Sequence, residues 1–331
     1  MDSHSTAEEQ FRRLQEAALA EYGVSATSRF VDIQTPPAHV HVLETGIGEP
    51  LVMVSGNAPA MLWAPLAARL ASRFHLLMPD RPGTGLTTTF NFRGVDLRSH
   101  GVEFLRGTLD ALGLDRVAIA GNSMGGFFAM AFAMEYPEMV SKLILLGETG
   151  NSAGGPVKRF YRLVGTRGLN AVLHATVLRP PKSAAEARAG LTRSRLVADP
   201  DRVSDALLEG FAAGARMPGV SRSFRTMVER VFTPKGIGLF GRPTAATYAV
   251  TPELEKLTSP TLFLWGDQDP LGTPDIGRML AGKMPHARLQ VVEDAGHLPW
   301  LDQVDFCTEA ITGFLTEGAG TPLEGVDDRA G

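Results

Sequence analysis

Residues 117–134 run for eighteen positions without a charged side chain, and no other feature limits the fold so sharply. Length alone makes the stretch a candidate membrane helix. Its contents argue otherwise. Gly121, Asn122, Ser123 and the Gly125-Gly126 pair interrupt it near its front. Two buried elements joined by a sharp turn fit better. Val117 to Ala120 is a short apolar run, as in a central parallel strand covered on both faces. Phe127 to Tyr136 then reads as a helix stopped by Pro137. Between them lies Gly121-Asn122-Ser123-Met124-Gly125, a G-x-S-x-G.

The flanking sequence repeats this alternation. Strands are expected near Arg29–Ile33, His39–Glu44, Leu51–Val54, Phe74–Met78, Lys142–Leu146, 261–265 and 287–292. Helices are expected near residues 8–22, 61–71, 99–112, 274–284 and 304–315, the first with Phe11, Leu14, Ala18 and Tyr22 along one stripe. Strands alternating with helices of this length predict an α/β domain: a mostly parallel, eight-stranded-type sheet wrapped on both faces.

The alternation stops between 151 and 250. Helices without strands are expected there, near 156–177, 184–197, 201–215 and 221–231, as a helical cap inserted into the α/β domain. The resulting organisation is a helical extension (1–28), a first core segment (29–150), the cap (151–250), a second core segment (251–317) and a disordered tail (318–331). Residues 151–235 hold fifteen Lys or Arg against six Asp or Glu, a net +9 that leaves −13 for the rest. Solvated helix faces account for this; the sharper reading is a basic cap favouring an anionic substrate.

Composition removes several classes of function. The start, MDSHSTAEEQ, lacks the basic-then-apolar order of an export signal, so a cytoplasmic protein is expected. Cys307 is the sole cysteine, which excludes an internal disulfide and a cysteine metal site. A net charge of −4 gives no reason to expect nucleic acid as a partner. Oligomeric state is not legible.

A residue held between strand and helix sits on a tight turn, and flanking glycines keep neighbouring Cβ atoms away. That turn would raise Ser123 Oγ above the sheet and aim the Met124 N–H at the same spot. A serine hydroxyl needs a base, and the base an orienting acid. Of eight histidines, His297 in VVEDAGHLPW follows the last strand in a glycine-containing loop, where parallel sheets place reactive groups. The loop after the preceding strand, TLFLWGDQDPLGTP, offers Asp269 as the acid, Asp267 as its reserve and Glu148, elsewhere, as a third choice. Asp80, in DRPG, is expected to fix a turn beside the site.

The elbow GNSMGG, the turn DRPGTG, the acid loop GDQDP and the histidine loop DAGHLPW together resemble those of α/β-hydrolase fold enzymes with a helical cap, over roughly residues 29–316. The serine–acid–histidine chain order is also theirs. The resemblance implies that the second oxyanion donor is the Asn57 backbone N–H, in Ser55-Gly56-Asn57-Ala58-Pro59. GNSMGGFFAMAFAMEYPEMVSKLILLG is similar to the elbow region of meta-cleavage-product hydrolases, which cut carbon–carbon bonds. Those enzymes open the oxyanion loop with His-Gly and place an aromatic residue after the histidine. Here Ser55 and Leu298 stand in those positions, and Phe211 falls near their cap arginine, with Arg216 close by.

The expectation is therefore a serine hydrolase acting on a small-molecule carboxylic ester, thioester or lactone, with neither metal nor organic cofactor and no membrane partner. Ser123, His297 and Asp269 would be the triad, Met124 and Asn57 the oxyanion donors, and Trp300, Phe211 and Arg216 would line the pocket. The alternatives are a carbon–carbon bond hydrolase, or a non-hydrolytic cyclase or ligand-binding protein that reuses the pocket.

Overall fold

The apolar runs pair into one eight-stranded sheet. The computed structural model describes residues 3–147, 149, 166, 168–176, 178–232 and 251–317. The strands are β1 (Thr27–Gln34), β2 (Pro37–Gly46), β3 (Glu49–Val54), β4 (Phe74–Pro79), β5 (Val117–Asn122), β6 (Val140–Leu146), β7 (Thr261–Gly266) and β8 (Ala287–Val292). Their order is β1-β2-β4-β3-β5-β6-β7-β8. β2 runs antiparallel to both β1 and β4, and every other pairing is parallel.

The central strands are apolar throughout because they feed two cores. Leu51 and Met53 of β3 and Ala118 and Ala120 of β5 enter one buried cluster. Their neighbours Val52, Val54, Val117 and Ile119 enter the other. The period of two sends alternate residues to opposite faces, and both faces are covered.

The helices covering them are α1 (Ser3–Glu21), α2 (Ala64–Leu70), α3 (Leu97–Leu112), α4 (Met124–Glu135), α5 (Leu169–Thr176), α6 (Ala184–Ser194), α7 (Asp205–Arg216), α8 (Val220–Phe232), α9 (Pro274–Ala281), α10 (Pro299–Asp302) and α11 (Val304–Thr316). α3 starts where the Asp96 side chain accepts the Ser99 N–H at 2.9 Å. No helix among the described residues is long and apolar enough to cross a membrane.

The structure departs from expectation at several ends. The helix expected over 61–71 opens as a 3₁₀ turn, Ala60–Trp63, before α2. The helix expected over 201–215 is a 3₁₀ turn, Pro200–Arg202, then α7, whose N-cap Ser204 accepts the Leu207 N–H. The turn ends on Val203 and the capping serine starts the next helix, a boundary that hydrophobic periodicity alone does not mark. Residues 8–22 extend back to Ser3, and α1 is no loose extension. Phe11 is fully buried, and a Cβ on Gly214 of α7 would lie 2.9 Å from its ring. The helix expected over 156–177 is described only at α5, and the expected tail lies outside the described residues.

The sheet also fixes where a site can form. From β3 the chain crosses to β4 on one side, then returns to place β5 on the other. Loops leaving the carboxyl ends of two such neighbours diverge and leave a crevice. Val54 pairs with Gly121, so the segment after β3, beginning at Ser55, faces the turn after β5 that holds Ser123.

Candidate active site

Ser123 is the one residue between β5 and α4, and its backbone carries the turn: φ is 52° and ψ −121°. This left-handed region favours glycine and costs another residue about 1–3 kcal/mol. The surrounding glycines permit it. A Cβ on Gly121 would lie 2.7 Å from Gly126 Cα, and one on Gly125 would lie 2.1 Å from the Val54 carbonyl oxygen. Gly125→Ala therefore sets backbone against backbone. It should lower stability by about 1–3 kcal/mol, a loss typical of overpacking, read as a fall in Tm with reduced turnover.

The other two groups come from the loops after β7 and β8, at the same carboxyl end of the sheet. His297 Nδ1 lies 2.8 Å from Asp269 Oδ2, and both residues are buried. Asp269 Oδ1 accepts the Leu271 N–H at 2.8 Å, which fixes the carboxylate plane. Asp267 is exposed and accepts the Ala295 N–H at 3.0 Å, so it ties the acid loop to the histidine loop. Glu148 lies outside the described residues.

Ser123 and His297 line one cavity of about 320 Å³, together with Asn57, Arg81 and Phe211. Much of the remaining wall is apolar, with Leu178, Leu208, Phe224, Met227 and Leu298 among its residues. Such a volume suits a small ligand. A Cβ on Gly56 would lie 2.9 Å from Ser123 Cβ, so the segment after β3 rests directly on the elbow.

Two residues expected at the pocket are elsewhere. Trp300 is buried outside the lining, stacked on Trp63 at 4.2 Å and donating its indole N–H to the Leu62 carbonyl. Arg216 is exposed and donates to the Pro181 carbonyl at 2.6 Å. The cavity's guanidinium groups are instead Arg81, which is buried, and Arg179, which is exposed and 3.5 Å from Glu186.

Sequence reasoning also missed three supporting residues. Buried His174 lines the cavity with no hydrogen-bond partner at Nε2 among the described residues; burial, and then the Arg225 charge, hold its pKa below the usual imidazole value. Buried Asp302 accepts the N–H groups of Ala198 and Gly296 on Oδ2 and of Asp199 on Oδ1. It thereby joins the histidine loop to the helical segment between β6 and β7. Arg81 follows β4 and reaches back to the segment after β3. No local pattern marks any of the three, because their surroundings include segments far away in sequence.

A hydrogen-bonded Ser–His–Asp array lies outside the cavity. Ser28 Oγ is 2.7 Å from His41 Nε2, and His41 Nδ1 is 2.7 Å from Asp80 Oδ2. Asp80 also accepts the Ala60 and Leu86 N–H groups at 2.7 and 3.0 Å, which makes it the turn-fixing residue expected of DRPG. Ser28 is exposed on β1, in ordinary strand backbone.

The chain matches the alpha/beta hydrolase fold family over residues 49–303. It is 28% identical to the 2-hydroxy-6-oxo-6-phenylhexa-2,4-dienoate hydrolase of Burkholderia cepacia, over 91% of this chain and 100% of that one. It is 25% identical to the 2-hydroxy-6-oxononadienedioate/2-hydroxy-6-oxononatrienedioate hydrolase of Comamonas testosteroni, over 91% and 100%. Among solved structures it is similar to carboxylesterase CesB of Bacillus subtilis, with TM-score 0.72 at 18% identity, covering 95% of this chain and 100% of that one. A family match over most of the chain, on an eight-stranded sheet of this topology, makes the protein a hydrolase that belongs to the alpha/beta hydrolase fold family.

Proposed function

We propose that Ser123 is an acyl-forming nucleophile, His297 its base and Asp269 the group that orients the imidazole. The observation that carries this reading is the 2.8 Å His297–Asp269 contact, with His297 lining the same cavity as a serine on a strained elbow. His297 would take the Ser123 proton as Oγ attacks a carbonyl carbon, then return it to the leaving group. The negative charge on the carbonyl oxygen would be held by the Met124 and Asn57 N–H groups, and each such donor contributes roughly 3 kcal/mol to the transition state. The helices between β6 and β7 act as a cap over this site.

The relatives support one bond class over the other. Both sequence relatives named above are hydrolases of 2-hydroxy-6-oxo dienoic acids and match along nearly their full length. This favours carbon–carbon cleavage of such an acid over the ester hydrolysis expected from the sequence. The exposed cation that such a substrate needs for its carboxylate would be Arg179, not Arg216. Ester hydrolysis is the second reading, favoured by the apolar wall and by its smaller demand: a triad, two donors and a pocket.

Turnover decides between them. A meta-cleavage dienoic acid should be cleaved with a kcat/KM at least about tenfold above that of a short-chain aryl ester, with both activities lost in Ser123→Ala. KM for the acid should rise between low and high salt while that for the ester stays constant, since an exposed cation is screened. Efficient Ser123-dependent ester turnover alongside negligible cleavage of the acid would reverse the order.

A further inference from the structure

Arg81 is buried, yet among the described residues no carboxylate lies within ion-pairing distance of it. Neighbouring Asp80 is already engaged by His41 and two backbone N–H groups. Burial lowers the Arg81 pKa to about 10, with Asp80 pulling it back up, so the guanidinium remains charged at neutral pH. A buried charge without a counterion is costly unless other groups take its hydrogen bonds.

Those that serve Nε and Nη2 are consecutive, while the buried Nη1 has no partner among the described residues. Arg81 Nε donates to the Gly56 carbonyl at 2.7 Å and to the Ser55 carbonyl at 3.2 Å, and Nη2 donates to Asn57 Oδ1 at 2.7 Å. The Gly56 carbonyl belongs to the same peptide unit as the Asn57 N–H. A cation bonded to that carbonyl draws electron density through the amide and makes its N–H a stronger donor. The bond to the Asn57 side chain fixes the rotation of the same unit. Gly56 lies against Ser123, so the polarised peptide borders the nucleophile. The Arg81 plane is itself held: its Cζ sits 5.6 Å from the centre of the Phe128 ring, on the helix that starts at the elbow.

Resting on the proposed role of the Asn57 N–H, we infer that Arg81 is a positioning residue for catalysis: its guanidinium orients and polarises the Gly56–Asn57 peptide as an oxyanion donor. Its contribution then falls on the transition state and not on substrate binding.

The test uses the full chain with Arg81→Gln and Arg81→Lys, an aryl ester and a dienoic acid as substrates, and an aryl trifluoromethyl ketone as inhibitor. The ketone adds Ser123 Oγ to form a hemiketal whose oxygen mimics the oxyanion. Losing a whole donor costs about 100–1000-fold in kcat. Weakening one in Arg81→Gln should cost about 10–100-fold, with KM within about twofold. Inhibition by the ketone should weaken by the same factor as kcat/KM. Arg81→Lys keeps the charge but cannot span both acceptors, and should recover part of each loss. If Arg81→Gln does not fold, as judged by its melting transition, Arg81→Lys decides with an expected loss of a few-fold in both readouts. A folded variant that keeps wild-type kcat and ketone affinity, or whose loss lies in KM alone, overturns the inference. Wild-type protein that neither turns over substrate nor binds the ketone sinks the serine reading, and this inference falls with it. Active wild type with unaffected Arg81 variants sinks this inference alone.

Discussion

Ser123→Ala should lose turnover by roughly 10⁴–10⁶-fold, with no compensating change in KM. The serine oxygen is the only atom removed, so the fold should persist. A fluorophosphonate should modify the wild-type chain at Ser123 and leave the variant unmodified there, as read by peptide mass. The strained backbone supplies a companion measurement. At φ 52° a glycine carries no Cβ penalty, so Ser123→Gly, equally inactive, should melt above Ser123→Ala by the equivalent of about 1 kcal/mol. An unmodified wild type, or a variant with substantial activity, would remove the nucleophile from the proposed mechanism.

Asp269→Asn should cut kcat by about 10⁴-fold with little change in stability. The amide is nearly the size of the carboxylate, and Oδ1 can still accept the Leu271 N–H. The amide nitrogen facing His297 Nδ1 would donate where the carboxylate accepted, which favours the wrong tautomer and removes the charge that stabilises an imidazolium. Asp267→Asn should cost less than about tenfold, because among the described residues this exposed group holds only the Ala295 N–H. Steady-state kinetics on both variants gives the ranking. The reverse order would move the acid to Asp267.

Features written in adjacent residues could be read from the sequence. Apolar runs flanked by glycine gave the sheet, because strands buried on both faces leave a local signature. G-x-S-x-G gave the elbow, because its glycines answer clashes with close neighbours in the same turn and with the β3 carbonyls beside it. Asp269 and His297 could be placed by their positions after β7 and β8. The pocket wall could not. Trp300 follows His297 by three residues and looked like lining, yet its indole satisfies its N–H on Leu62, across more than two hundred residues. Arg216 ends an amphipathic helix, and only tertiary packing turns it towards Pro181 and not into the cavity. Arg81 reads as one letter of a turn motif, and its partners at 55–57 become visible only when β3 and β4 lie side by side.

The Ser28–His41–Asp80 array makes the molecule its own control. Both serines belong to one chain in one tube, and Ser28 is the more exposed of the two. Its hydroxyl lies at hydrogen-bonding distance from an imidazole that in turn bonds a carboxylate, but it sits on strand backbone instead of a forced turn. Dividing the rate of phosphonate incorporation at Ser123 by that at Ser28 cancels reagent decay and concentration. The quotient isolates what the bent backbone and its flanking amides add to a bare hydrogen-bond relay, a quantity that ordinarily requires comparing two different proteins.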